Sequence, residues 1–219
     1  MTELEPRDGR HGHCGGHGGR GQHLHGSQGS EPWMPNQPDS GLVELAGALQ
    51  PGRALDLGAG QGRNSIWLAR QGWQVTAVDQ SEASLASLDL VSRREHLGIT
   101  TVVADMHAYL GRSEPFDLIV IAHIHPPTPE RAQLLAEAAR ALAPGGHLFV
   151  VGHHVDALGI AGPPDPERLY TEEGLASAFP GLTLLRLDRR EHPTGPGRPA
   201  LVEVVAWATR PFSSEDAPA

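Results

Sequence analysis

Apolar positions organise the chain from Ser40 onward and are sparse before it. A short run after Asp39–Ser40 carries Leu42, Val43, Leu45, Ala46 and Leu49, the spacing of an amphipathic helix. Compact apolar blocks follow at Arg53–Gly58, Gln74–Asp79, Ile99–Ala104, Phe116–Ala122, His147–His153, Leu182–Leu187 and Leu201–Ala208. Blocks of this length, rich in valine, isoleucine and leucine, predict buried strands. Helical periodicity fills the intervals. It runs over Gly62–Arg70 and stops at Gly72, and over Ser81–Leu97 with Ser81 as N-cap. It returns over Thr128–Leu142, ended by Pro144-Gly145-Gly146, and over Thr171–Ala178. Strand and helix in alternation predict an α/β domain, a mostly parallel sheet with helices on both faces. Such sheets bind ligands beyond the carboxyl ends of their strands, near the switch in strand order, so chemistry is expected just after each strand.

Composition narrows the function classes. With 17 basic and 26 acidic residues in 219, the net charge is −9, which gives no electrostatic footprint for coating nucleic acid. Every basic residue is arginine, which excludes a lysine Schiff base and the lysine of a phosphate-binding P-loop. A single cysteine, Cys14, permits no intramolecular disulfide. No run approaches the ~18–20 apolar residues that span a bilayer, and the N-terminus lacks the apolar stretch of a signal peptide. The expectation is a cytoplasmic protein with a small-molecule substrate, no nucleic-acid partner and no membrane.

Domain boundaries follow from the same pattern. Residues 1–39 are expected to be a disordered glycine- and histidine-rich tail, 40–210 the folded domain, and 211–219 a flexible C-terminus. His11, His13, His17, His23 and His25 crowd around Cys14, suitable groups for weak transition-metal binding. Their spacing matches no closed structural site, so no defined metal centre is expected.

The most informative segment is Ala54-Leu55-Asp56-Leu57-Gly58-Ala59-Gly60-Gln61-Gly62-Arg63-Asn64. An apolar run enters an acid, then glycines occupy alternate positions where a strand gives way to a helix. Glycine admits positive φ and close ligand approach, and the helix start offers free amides. A second acid, Asp79, closes the next strand 21 residues after Gly58, a place where a carboxylate accepts ribose hydroxyls. The G-x-G-x-G form, with Asp56 two residues upstream, Asp79, Ala104-Asp105-Met106 and Pro144-Gly145-Gly146 in order, resembles the class I S-adenosylmethionine-dependent methyltransferases. The resemblance covers roughly residues 40–210. It implies a Rossmann-like seven-stranded sheet whose last strand is antiparallel, and S-adenosylmethionine as cofactor. It also implies cofactor-binding roles for Asp56, Gly58, Ala59, Gly60, Gly62, Asn64, Asp79, Gln80, Asp105, Met106 and Ala122. Gly60-Gln61-Gly62-Arg63-Asn64-Ser65, with Ile66-Trp67-Leu68-Ala69, is similar to the G-x-G-R-N-S-x-x-L-A segment of tellurite-resistance and thiopurine-methyltransferase-like enzymes. That implies methyl transfer to a small soft nucleophile, a thiol or chalcogen oxyanion. The alternatives are an O- or N-methyltransferase of a small metabolite, or a non-catalytic cofactor-binding or metal-handling protein.

Methyl transfer from a sulfonium is an in-line displacement that depends first on orientation. An acceptor with a proton to lose also needs a base, and an imidazole serves near neutral pH. His123 and His125 follow the fourth strand, where the class places its acceptor, and alternation points both to one side. As a pair they lack a third metal ligand. His153-His154 open the Pro/Gly-rich segment Val155–Tyr170, of a length expected for a lid or binding loop. His192, in Glu191-His192-Pro193, lies between the last two strands, where the tellurite-resistance family has an E-x-H-R segment. Here the intervening residue and the arginine are absent. The candidate catalytic residues are therefore His123, His125 and His192.

Overall fold

The computed structural model describes residues 37–179 and 181–212, so the expectations for the histidine-rich tail and the extreme C-terminus lie outside the described residues. Helix α1 (Ser40–Ala46) leads into β1 (Arg53–Leu57), α2 (Arg63–Arg70), β2 (Gln74–Asp79), α3 (Glu82–Glu95) and β3 (Thr100–Val103). The chain continues through α4 (Met106–Leu110), β4 (Phe116–Ala122), α5 (Thr128–Arg140), β5 (Leu142–His153), α6 (Glu172–Ala176), β6 (Thr183–His192) and β7 (Leu201–Thr209). The strands form one seven-stranded sheet in the order β3-β2-β1-β4-β5-β7-β6. β1 to β5 run parallel, and β7 lies antiparallel between β5 and β6. The strand order reverses between β1 and β4, so the carboxyl ends of these two strands flank the ligand crevice of the fold.

Alternation along each strand builds a core on both faces. Leu55, Leu57, Ile119, Ile121, Leu148 and Val150 pack with Leu134, Leu135 and Leu175 from α5 and α6. On the opposite face Ala54, Val75, Ala77, Leu118, Val120 and Phe149 meet Leu42, Leu68, Leu85 and Leu88 from α1, α2 and α3. Full burial of each such leucine contributes about 1.5–3 kcal/mol. Among the described residues no helix is long and apolar enough to cross a membrane.

Asp39, read as the last residue of the tail, belongs to this core. It is nearly buried, its carboxylate accepts from the Gly41 and Leu42 amides at 2.8 and 3.3 Å, and its own amide donates to Asn64 Oδ1 at 2.9 Å. Asp39→Ala should therefore cost about 1 kcal/mol, the usual loss of an N-cap, when unfolding is followed in urea. An unchanged midpoint would show that α1 needs no cap.

The largest differences from the pattern, two strand boundaries and one loop, each have a tertiary reason. Expected from His147, β5 begins at Leu142, and the glycine turn lies within its start. There Gly145 takes φ +76° and its amide donates to the Arg210 carbonyl, while the Arg210 amide donates back to the Gly146 carbonyl. β6 runs beyond Leu187 to His192 because the antiparallel ladder with β7 continues to the pair His192–Leu201, so His192 is a strand residue. Residues 155–170, expected as a lid or binding loop, are stitched down. The Val155 amide donates to the Tyr170 carbonyl and the Tyr170 amide to the His153 carbonyl, both at 2.9 Å.

Candidate functional site

The glycine turn is built by backbone bonds that only its conformation allows. Gly58 and Ala59 donate to the Val78 carbonyl, and Gly62 at φ +82° caps α2 without a side chain. The Gly60 amide donates to Asp79 Oδ2 at 2.8 Å, tying the turn to the end of β2. A Cβ on Gly60 would meet nothing within 4 Å, so the turn faces open space at the crevice. Asp79 Oδ1 takes the Ser81 amide at 2.8 Å, Gln80 Nε2 donates to Asp105 Oδ2 at 3.0 Å, and Asp105 Oδ1 caps α4 through the Ala108 amide. Gly58, Ala59, Gly60, Gly62, Asp79, Gln80 and Asp105 thus form one connected edge. Met106 begins α4 beside it, and Ala122 ends β4.

Two cofactor candidates point elsewhere. Asn64 is buried on α2 with its Oδ1 committed to Asp39. Asp56 lies fully beneath α2, where Ser65 Oγ donates to its Oδ2 at 2.6 Å. Burial pushes the Asp56 carboxyl up to about 6, and hydrogen bonds from Ser65 oppose the rise.

The histidines gather beyond β4 and β5. His123 adopts φ +58°, a left-handed conformation that costs a non-glycine residue energy, and its amide bonds to the Val151 carbonyl. His125 has both ring nitrogens engaged. Nδ1 donates to the His123 carbonyl at 2.9 Å, and Nε2 accepts the His153 amide at 3.0 Å. Its ring stacks on His153 with centroids 5.1 Å apart. Desolvation holds both imidazoles toward the neutral form, His123 down to about 3 and His125 to about 4. Tyr170 Oη donates to the Ile124 carbonyl at 2.6 Å and Arg168 to the His125 carbonyl at 2.7 Å, so the stitched segment clamps this turn.

Sheet register supplies a residue that the motif reading missed. Glu203 on β7 is the cross-strand partner of His153 on β5 and lies diagonal to His192 on β6. It is almost fully buried, and His192 Nε2 lies 2.9 Å from its Oε2. His123 Nε2 and His153 Nδ1 stand 3.6 and 3.9 Å from its Oε1. Desolvation raises the Glu203 carboxyl above the usual range. A lone acid in Leu201-Val202-Glu203-Val204-Val205 was the sequence signal: a strand buried on both faces places no charge without a partner. His123 and His192 therefore converge on Glu203, whereas His125 braces the turn from behind. The cluster adjoins the glycine turn, since a Cβ on Gly58 would run into Ile124 Cδ1, between His123 and His125.

This sheet order, with the glycine turn and the acids at its strand ends, is the Rossmann-like fold of the class I S-adenosylmethionine-dependent methyltransferases, and residues 54–146 match the family model described as a methyltransferase domain. Within that class the chain is similar to TehB. Over 79 residues it is 40% identical to the Haemophilus influenzae protein named Probable S-adenosyl-L-methionine-dependent methyltransferase TehB, a match covering 36% of this chain and 27% of that protein. The crystal structure of Haemophilus influenzae TehB superposes with a TM-score of 0.66 at 24% identity, over 78% of this chain and 61% of that one. The N-methyltransferase NodS of Bradyrhizobium japonicum WM9, solved with S-adenosyl-L-homocysteine, gives 0.62 at 18% identity, over 78% and 84% of the two chains. The curated match thus spans about a quarter of that relative's length.

The residues present fit S-adenosylmethionine, the cofactor of this class. The open face at Gly60 leaves room for a ligand against the backbone, and the carboxylates of Asp79 and Asp105 stand at the two strand ends beside it.

Proposed function

We propose that this chain transfers a methyl group from S-adenosylmethionine to a small soft acceptor, a thiol or chalcogen oxyanion, held against the His123–His125 turn. The observation that carries this reading is the packing of that turn on the glycine turn through Ile124 and Gly58, which makes the cofactor edge and the histidine cluster neighbours. The likeness of residues 61–69 to tellurite-resistance methyltransferases supports the acceptor class.

When bound, the cofactor supplies an electrophilic methyl group on a sulfonium centre. The chain's own residues then orient. Gly60 admits close approach, Gly58 and Gly62 make room for the Ile124 and Leu88 side chains that shape the turn, Asp79 accepts hydroxyl donors, and Asp105 accepts an amino donor. On the acceptor side, Tyr170 and Arg168 hold the turn rigid through its carbonyls, which keeps the approach in line. His125 has no nitrogen left for proton abstraction, and His123 keeps Nδ1 buried and turns Nε2 to Glu203. Such a cluster suits an acceptor that is already an anion and needs no base. The hydrogen-bonded pair of His192 and Glu203 favours a second reading, O- or N-methyl transfer with His192 as base.

Release of S-adenosylhomocysteine, measured against thiols, tellurite, selenite, phenols and amines, separates the two. Turnover is expected with the first three classes. Turnover confined to phenols or amines would overturn the acceptor class, and no release with any of them would overturn methyl transfer to these acceptors.

A further inference from the structure

We propose that His123, His153 and Glu203 form a binding site for a divalent first-row transition-metal ion, with one coordination position open to the acceptor side of the cleft. One ligand atom from each residue falls within a sphere in which all three lie within 4.8 Å of one another. Two imidazoles and one carboxylate are a ligand set used for zinc and for iron(II). Metal–ligand bonds of about 2.0–2.2 Å place neighbouring ligand atoms about 3–3.5 Å apart. The 3.6 and 3.9 Å separations from Glu203 Oε1 would contract by a few tenths of an ångström, and the two imidazole nitrogens, within 4.8 Å of one another, would close together on the ion.

Three further observations point the same way. The Nδ1 atoms of His123 and His153 are buried with no hydrogen-bond partner, which is unusual for imidazole nitrogens and is resolved at His153 by coordination. Glu203 is oriented from behind, because His192 engages Oε2 and leaves Oε1 turned to the two histidines. Such an outer hydrogen bond is what fixes a ligating carboxylate. His153 is braced in turn, its ring stacked on His125 and its amide held by His125 Nε2. The charged surroundings are mixed: Arg63 opposes a cation here, whereas the negative charge of Asp39, which disfavours the Glu203 anion, is relieved by one.

Ion binding stands on these three side chains alone. Its use, drawing a thiol or oxyanion toward the open position as a coordinated anion, rests on the methyl-transfer reading above.

The test is zinc titration by calorimetry on the full chain, together with zinc-edge anomalous diffraction from zinc-soaked crystals. Residues 1–36 carry five histidines and Cys14 of their own, so the comparison is between variants, not against a stoichiometry of one. His153→Ala and Glu203→Gln should each weaken one zinc-binding event at least tenfold, and an anomalous peak should lie between the three residues. S-adenosylhomocysteine binding reports folding of both variants. If Glu203→Gln does not fold, His153→Ala decides alone. Superimposable zinc titrations of wild type and His153→Ala, or no anomalous peak at the three residues, would overturn the site. Absence of S-adenosylhomocysteine binding in the wild type would instead sink the methyl-transfer reading and leave the ion site standing.

Discussion

Replacing Asp79 by alanine is expected to weaken S-adenosylhomocysteine binding by roughly ten- to a hundredfold while the domain stays folded. The carboxylate has two tasks. Its oxygens hold the Gly60 and Ser81 amides at 2.8 Å each, which fixes the glycine turn against the end of β2. In the proposed function its remaining lone pairs would accept hydroxyl donors at the crevice. A buried or half-buried donor that loses its acceptor costs about 1–3 kcal/mol, which is the stated range of affinity. Asp79→Asn retains one acceptor oxygen and should fall between the two. Calorimetry reads the affinity, and thermal unfolding reads the fold. Equal affinity in wild type and Asp79→Ala would show that the end of β2 takes no part in binding.

The second large effect is the pH dependence of stability set by Asp56. Its folded value, about 6, lies above the ordinary 3.8 because burial disfavours the anion. The folded state therefore holds the proton more tightly than the unfolded chain. Below about pH 4 the group is neutral in both states and imposes no penalty. Between pH 4 and 6 the penalty grows, and above pH 6 it is complete, at about 3 kcal/mol for roughly two pKa units. Ser65 Oγ, the nearest donor, and the charge of Arg63 offset part of the desolvation, whereas Asp79 adds to it. Asp56→Asn removes the titration and keeps an oxygen for Ser65. Urea unfolding at pH 4 and pH 8 should show wild type losing about 3 kcal/mol relative to the variant on going to the higher pH. A stability difference independent of pH would mean that Asp56 ionises as easily as in the unfolded chain.

Local chemistry made much of this protein legible in the sequence. Strands β1, β2 and β4 are short and buried on both faces, and their apolar blocks consequently read as strands without help from tertiary context. Ser81 and the alternate glycines mark a helix start and a strand-to-helix turn through backbone conformation, which is a property of the residues themselves. The edge from Gly58 to Gly62 and the acids Asp79 and Asp105 were legible for the same reason: each stands at the end of its own strand.

What the sequence could not decide depends on which strands become neighbours. The inserted position of β7 between β5 and β6 is a matter of topology, and it alone brings Glu203 beside His153 and His192, 50 and 11 residues away. The ladder between β6 and β7 turns His192 from a linker residue into a strand residue, because each added pair satisfies backbone groups that would otherwise face the loop. Whether a polar side chain faces the crevice or the interior was equally beyond local pattern. Asn64 spends its carboxamide on Asp39, Asp56 points under α2 to Ser65, and His125 is used up in holding its own turn. Spacing along the chain determined the elements and the glycine-turn edge, since these depend on backbone preference and burial within a few residues. Register across the sheet decided the histidine–glutamate cluster, since hydrogen bonding and desolvation act between side chains that only the folded chain makes neighbours.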